Sequence, residues 1–428
     1  MKKVPQFLAM CVVMLFLVPS TTHAQLGTLK RRLEKKIVDK MLGEDESDTN
    51  APAESSENTS TTKGKKLTPP SVTDNLSNAL TALEASQYAN ARYDIKEATR
   101  GVELEIGYQI LEAMPTQVSG LAYEADEDGV VSTGIGFVGL VISRTYQKGS
   151  RQITATVGNN SALGAYGMML SGNYATNDDN QKSVTVQGNR GTLFFDGGNE
   201  YRLGIPFAQS SAFVLECDGF GDEAEVMAAM EAFQLSTFEA LLMDKTSNAT
   251  ANQDANRYLK TAQTEYNGKK LDNTRVALQQ ALAEVDKIIG QQILEMLPAA
   301  LGDLQAVTTQ DSHTSAGFTG IYIQRIYESA DKSERIEVNL MNDSPLLAGV
   351  TTFLASPLIA VAAGNKVIKV DGYKGMYEKE EGSDPLAINI SIPSNQTLLT
   401  LNFTKVSETN ANTYAQQIPV GDIFALIK

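Results

Sequence analysis

The segment Ile106–Pro115 reads IGYQILEAMP, and an offset of 183 leads to Ile289–Pro298, IGQQILEMLP, with seven of ten residues identical. GFVGLVISRTY at Gly136–Tyr146 recurs as GFTGIYIQRIY at Gly317–Tyr327, with six of eleven residues identical. Matches that keep one order with little drift in spacing indicate two tandem copies of one domain. Two shorter pairs follow in the same order: VQGNRG at Val186–Gly191 with VDGYKG at Val370–Gly375, and FEALL at Phe238–Leu242 with IFALI at Ile423–Ile427.

Each copy opens with a helical region. Apolar residues recur there three or four positions apart, which predicts a helix with one stripe facing a core. Pro115 and Pro298 follow each stripe, at the place where a helix should end. The apolar positions that match between the copies are Ile95 and Leu278, Ala98 and Ala281, Val102 and Val285, Ile106 and Ile289, Ile110 and Ile293, and Met114 and Leu297.

After the helices, the apolar period changes to two, which predicts strands. Short connections between strands favour an antiparallel sheet, so we expect an α+β fold in two tandem copies. Each copy would be a helical hairpin followed by a mainly antiparallel sheet, with helices packed on one face. A short helix is expected after Ser161 and at Ser344-Pro345, and one long closing helix at Asp222–Leu242. The strands predicted for the first copy are Phe137–Tyr146, Gln152–Val157, Ser183–Gln187, Thr192–Phe195, Tyr201–Ile205 and Ala212–Cys217.

The chain before the first copy divides into three parts. Residues 1–24 read as a signal peptide, because two lysines precede the apolar run Phe7–Val18, and small residues stand before a cleavage point near Ala24. Residues 25–42 predict a basic amphipathic helix. Residues 43–70 are polar and acidic, which is typical of a disordered linker. The copies themselves are then assigned to residues 71–244 and 245–428.

Charge and cysteine content restrict the compartment and the partners. The formal net charge is −15, so the chain repels nucleic acid phosphate and no nucleic acid partner is expected. Cleavage near Ala24 would leave one cysteine, Cys217, and hence no intramolecular disulfide. An exported chain without disulfides fits a bacterial periplasm or secretion by a bacterium. Cys217 lies in the apolar string FVLEC, which predicts a buried structural thiol.

The basic helix at 25–42 suggests a membrane contact. Its six lysines and arginines outnumber Glu34 and Asp39, and its apolar stripe is too short and too charged to cross a bilayer. Such a helix suits the interface plane of an anionic membrane, so we expect peripheral contact there. Two alternatives stay open: the helix docks on its own acidic domains, or it stays unfolded until a partner arrives.

The sequence offers little for metal or cofactor chemistry. After cleavage, His313 is the one histidine, and no tryptophan is present, so a metal site built from several histidines or thiolates is excluded. The counterpart of His313 in the first copy is expected near Ser132. Glu124, Asp126 and Asp128 resemble half of a calcium loop, but the twelfth position is Ile135 and not an acid. We therefore expect no metal, no cofactor and no catalytic residue.

Both copies share a polar pair on one strand. Arg144 and Tyr146 lie two positions apart, on one strand face, and Arg325 and Tyr327 take the matching positions. Arginine offers a planar fork for carboxylate or phosphate, and tyrosine offers an apolar ring with a polar tip. These four residues are the predicted ligand site, against the alternative that the pair only packs over the sheet.

The expected function is that of an exported, non-enzymatic envelope protein that binds a partner or a small ligand through its two copies. One alternative is a periplasmic hydrolase that uses carboxylates, with His313 taking part in one copy. A second alternative is a carrier of an apolar ligand. A large apolar cavity between sheet and helices would favour the carrier.

Overall fold

The computed structural model describes residues 67–132, 139–159, 180–207, 211–242, 254–315, 320–343, 347, 366–379, 386–394 and 396–427. The basic segment 25–42 lies outside these ranges, as do Ser161 and Ser344-Pro345, where short helices were expected. The helices of the first copy are α1 (Val72–Glu84), α2 (Tyr88–Ala113), α3 (Glu223–Met230) and α4 (Leu235–Leu242). Those of the second are α5 (Ala255–Asn267), α6 (Leu271–Met296), α7 (Glu408–Ala415) and α8 (Val420–Leu426).

Within the residues that the structure describes, each copy forms an antiparallel sheet of nine strands. The first sheet has β1 (Gln117–Val118), β2 (Leu121–Tyr123), β3 (Gly129–Val131), β4 (Val141–Lys148), β5 (Arg151–Gly158), β6 (Gln181–Val186), β7 (Asn189–Gly197), β8 (Glu200–Pro206) and β9 (Ala212–Asp218). The second has β10 (Ala300–Leu301), β11 (Leu304–Ala306), β12 (Ser312–Ser315), β13 (Ile321–Glu328), β14 (Arg335–Asn342), β15 (Lys366–Val370), β16 (Tyr373–Lys379), β17 (Ala387–Ser394) and β18 (Thr397–Thr404).

The two sheets have the same strand order. It runs β1-β2-β4-β5-β9-β8-β7-β6 in the first copy and β10-β11-β13-β14-β18-β17-β16-β15 in the second, with β3 beside β4 and β12 beside β13. A helical hairpin precedes the sheet in each half. The predicted α+β fold with two similar halves is therefore confirmed.

The helix stripes are buried as the spacing predicts. Ile95, Ala98 and Val102 of α2 are fully buried, and so are Leu278, Ala281 and Val285 of α6. Helices α2 and α6 also pack against each other. Apolar side chains of both copies therefore form one continuous core, in which each long helix contacts the partner copy as well as its own sheet.

The repeated motif VQGNRG/VDGYKG forms a tight hairpin turn. Gln187 and Gly188 have positive φ angles of 48° and 81°, and Asp371 and Gly372 have 47° and 82°. Two consecutive residues with positive φ define a type I′ turn, for which a glycine in the second place is favoured. The first turn residue then accepts a hydrogen bond from the start of a helix: Leu235 N–H, in α4, donates to Gln187 Oε1 at 3.2 Å. In the second copy, Gly421 N–H donates to Asp371 Oδ2 at 2.7 Å.

The prediction of a single closing helix at Asp222–Leu242 is wrong, because two helices, α3 and α4, occupy this stretch. The helical conformation is interrupted between them, around Phe233, whose ring is fully buried. Gln187 stabilises the break, since its Nε2 donates to the Phe233 carbonyl at 2.7 Å. The short strands β1, β2 and β3 were not predicted either, because two or three residues are too few to show a period of two.

Candidate functional site

The predicted ligand residues Arg144 and Tyr146 are on β4, and their side chains contact the C-terminal end of α2. Arg144 Nε and Nη2 donate to the two carboxylate oxygens of Asp128 at 2.8 and 2.6 Å. Its Nη1 donates to the Met114 carbonyl at 3.2 Å, and Tyr146 Oη donates to the Pro115 carbonyl at 2.8 Å. The carbonyls at a helix end lack partners within the helix, so both side chains serve as a clamp on that end.

Arg325 and Tyr327 repeat this clamp in the second copy. Arg325 Nε donates to Asp311 Oδ1 at 3.0 Å, and its Nη2 pairs with the other oxygen of the same carboxylate. Arg325 Nη1 donates to the Leu297 carbonyl at 3.1 Å. Tyr327 Oη donates to the Pro298 carbonyl at 2.8 Å. The four predicted residues therefore lie in two separate places, one at the end of each long helix.

Burial and charge hold these side chains in one protonation state. Burial raises the pKa of Tyr327 to about 12 and raises the pKa of Tyr146 as well. Burial by itself lowers the pKa of Arg144, but the hydrogen bond and the charge of Asp128 outweigh it, so the pKa is raised. Each guanidinium fork is occupied by a carboxylate within the fold. The ligand-site hypothesis for these residues stays a prediction, and the geometry adds a structural role to it.

The acidic loop at Glu124–Gly129 contributes an ion pair through Asp128. Its carboxylate is paired with Arg144. The described residues contain no group of three or more His, Cys, Asp or Glu side chains placed to hold a metal ion. This part of the first copy therefore uses its acid for an ion pair with the clamp.

His313 lies on β12, opposite Ile323 of β13. By strand register its counterpart is Val130, which lies opposite Ile142. Both face a glycine of the long helix: a Cβ added at Gly290 would lie 3.1 Å from the His313 Cβ. His313 therefore occupies a position where a helix packs closely on the sheet.

A buried charged cluster, which the sequence patterns do not predict, joins the two copies. Arg92 on α2 is 1% exposed and donates through Nε to Asp286 Oδ1 on α6 at 2.8 Å. Its Nη2 donates to Asp343 Oδ2 at 2.5 Å and to Asn342 Oδ1 at 2.6 Å. Lys96 Nζ, one turn along α2, donates to the same Asp343 oxygen at 2.9 Å. We call these five residues the charged junction.

The two acids of the charged junction respond differently to their surroundings. Burial raises the pKa of Asp286, and the neighbouring Asp343 adds to this. Burial acts on Asp343 in the same sense, but Arg92 and Lys96 together outweigh it and lower the pKa of Asp343. Both acids are nearly inaccessible to solvent, so this carboxylate pair lies in the interior and not in a surface cleft.

Each copy also donates a hydrogen bond to a backbone carbonyl at the C-terminal end of the other copy. Arg92 Nη1 donates to the Ile427 carbonyl, beyond α8, at 3.1 Å. Arg275, at the matching position of α6, donates to the Leu242 carbonyl at the end of α4 at 2.7 Å. These two contacts mirror each other, as contacts do in the isologous interface of a two-fold dimer. The sequence does contain one indication of these contacts, because the two arginines lie 183 residues apart and therefore match in the two long helices.

The outer face of the second sheet carries uncharged polar side chains in register. Gln324 pairs with Asn339 across β13 and β14, and Asn339 pairs with Thr400 of β18. Thr400 pairs with Ser391 of β17, which completes a straight row over four strands. Asn402 and Asn389 face each other in the next row. We call these six residues the outer polar surface.

These side chains are half-buried and hydrogen-bond to their neighbours. Gln324 Nε2 and Tyr322 Oη both donate to Asn339 Oδ1, at 3.0 and 2.9 Å. Ser391 Oγ donates to Asn389 Oδ1 at 2.8 Å. The first copy differs in two ways. Ser143, Val214 and Gly204 occupy the positions of Gln324, Thr400 and Ser391 and are buried, whereas Glu216 and Arg202, at the positions of Asn402 and Asn389, form an ion pair.

The interior between α6 and the second sheet is closed at the place where a carrier would need space. Ile293 of α6 and Leu297, which follows the helix, meet Ile323, Val338 and Leu340 of the sheet, and no room for a water molecule is left between them. Close packing of this kind is normal for a protein core.

None of the helices in the described part of the chain combines the length and the apolar character needed to cross a membrane. Comparisons with protein-family models, with curated proteins and with solved structures each found no match to this chain.

Proposed function

We propose that the protein is an exported, non-enzymatic protein of the bacterial envelope that binds a neutral ligand rich in hydroxyl and amide groups. The outer polar surface of the second sheet supports this proposal. It offers amides and hydroxyls in a row over four strands, spaced about 4.8 Å apart.

The chemistry of this surface favours an uncharged, hydrogen-bonding ligand. Asn and Gln amides and Thr and Ser hydroxyls each donate and accept hydrogen bonds, as sugar hydroxyls and N-acetyl groups do. The row of Gln324, Asn339, Thr400 and Ser391 carries no charge, and the acids that flank Asn402 and Asn389 in the next row, Glu337 and Glu378, disfavour an anionic ligand. Tyr322, next to this row, adds an aromatic ring with a polar tip. The ligand class that fits is a glycan that carries N-acetyl groups.

A pull-down with an insoluble polymer of N-acetylated sugars tests this proposal. The full-length protein should sediment with the polymer, and a variant with Gln324→Ala, Asn339→Ala and Thr400→Ala should bind at least tenfold more weakly. Three hydrogen-bonding side chains at about 0.5–1.5 kcal/mol each account for such a loss. Gln417→Ala, at an exposed position far along the chain, is the matched control and should bind as the wild type does.

Thermal melting of all three proteins checks that the substitutions leave the fold intact. Equal binding by the triple variant and the wild type would contradict the proposed surface. Absence of binding by the wild type would contradict the proposed ligand class.

The basic segment 25–42 adds a second proposed contact, which rests on sequence alone. Each Lys or Arg near an anionic surface contributes on the order of 1 kcal/mol, so six of them would hold the chain at a membrane. Flotation with anionic vesicles tests this contact in the protein without residues 1–24. Binding at low salt should disappear when the six basic residues are replaced by glutamine. Equal flotation of both proteins would contradict it.

A further inference from the structure

The two junctions between the copies differ in charge although they match in position. At the charged junction, Arg92 and Lys96 of the first copy meet Asp286 and Asp343 of the second. At the second junction, Arg275 binds the Leu242 carbonyl, and Gln279 stands at the position of Lys96. Glu103 corresponds to Asp286 and is fully buried.

Two cations meet two carboxylates in the charged junction. At the matching positions of the second copy and the first copy, the sequence has one cation, Arg275, one acid, Glu103, and the uncharged Gln279. The Glu103 carboxylate accepts a hydrogen bond from Ser132 Oγ. In the sequence, the residue 183 positions before Asp343 is Asn160, outside the described residues. Loss of the lysine is therefore matched by loss of the aspartate. Balance matters here because a buried charge without a partner is strongly destabilising.

We infer that the buried charges make the first and second copies fit each other and oppose the pairing of two like copies. Two second copies would place Gln279 where Lys96 now faces Asp343, and would leave two carboxylates with one arginine. Two first copies would bring Arg92 and Lys96 to Glu103 as the one acid. Each like pair would bury an unbalanced charge twice, once at each junction. The partner surface of each copy is therefore specific for the other kind of copy.

Single substitutions in the full chain reproduce the junctions of the like pairs. Lys96→Gln creates the junction that two second copies would form. Asp343→Asn leaves two cations with one acid, as two first copies would. The double variant K96Q/D343N turns the charged junction into the type that the second junction already has, so its charges balance again.

Urea unfolding of the full-length variants measures the effect. We expect D343N to lower the folding equilibrium constant at least tenfold, and K96Q to lower it by less, because the Lys96 side chain is 19% exposed and partly solvated. The double variant should be more stable than D343N alone. Lys374→Gln and Asp303→Asn, both at exposed positions, are the matched controls and should leave stability unchanged.

Gln279→Lys tests the second junction independently. It adds a cation where one acid is present, so it should destabilise the protein at least tenfold, whereas Gln279→Met, of similar length and without charge, should not. A double variant as unstable as the sum of its two single changes would overturn the inference. So would equal stability of Q279K and Q279M. If D343N does not fold at all, folding of K96Q/D343N supports the inference, and failure of both overturns it.

Discussion

Replacing Arg144 by methionine separates the two interpretations of the repeated Arg–Tyr pair. Methionine keeps much of the side-chain length but removes the guanidinium, which donates twice to Asp128 and once to the Met114 carbonyl. If the pair is a clamp on the end of α2, the substitution lowers stability. If the pair is mainly a ligand site, stability stays nearly the same and only binding is lost.

The expected magnitude follows from these contacts. Breaking a fully buried ion pair costs about 3–5 kcal/mol. The Asp128 side chain is 18% exposed, so water compensates part of its lost partner. We therefore expect R144M to lower the free energy of unfolding by about 2–3 kcal/mol. Tyr146→Phe removes one hydrogen bond, to the Pro115 carbonyl, and should lower it by about 1 kcal/mol.

The second copy provides a matched pair of variants. Arg325 has the same three donor contacts and the same side-chain exposure of 9% as Arg144, so R325M should lose a similar amount. Arg190→Met, at an exposed position, is the control and should stay within about 0.5 kcal/mol of the wild type. Urea unfolding followed by far-ultraviolet circular dichroism gives the free energies. A loss below about 0.5 kcal/mol for both R144M and R325M would refute the clamp.

The remaining predictions concern tyrosine ionisation, the thiol and the helix glycines. Burial raises the pKa of Tyr327 from 10 in the unfolded chain to about 12, so its contribution to stability is present below pH 10 and is lost as the pH rises through 12. Alkaline unfolding monitored by absorbance at about 295 nm should show this, and Y327F should reduce the effect. Burial likewise raises the pKa of the Cys217 thiol to about 12, so a thiol reagent at neutral pH should label it only after unfolding; rapid labelling of the native protein would contradict this. Gly107→Ala would place its Cβ 2.3 Å from Val130 Cγ1, so it should destabilise by about 1–3 kcal/mol. Gly290→Ala would place its Cβ at 3.1 Å from the His313 Cβ, a smaller overlap, and should therefore destabilise by less; equal unfolding free energies for the two would contradict this packing argument.

Local patterns in the sequence predicted the fold because they report burial directly. The apolar stripe of α2 and the alternation in β5 both depend only on residues close in the chain. The contact between Arg92 and Asp286 joins residues 194 positions apart, and nothing near either residue indicates the other. The same reason explains the error at the closing helix. Its break depends on Gln187, a residue of a distant hairpin turn, and the local pattern cannot show that contact.

The duplication itself indicates where function should be sought. Both copies adopt one fold, so residues that match in both are those that the fold requires. Arg144 and Arg325 illustrate this, because each holds a helix end in the same way. Residues that differ at matching positions are not required by the shared fold. Gln279 differs from Lys96 at the junctions, and the outer polar surface differs from the matching positions of the first sheet, which include the Arg202–Glu216 ion pair. We therefore expect separate tasks of the two copies to depend on these differences and not on the repeated motifs.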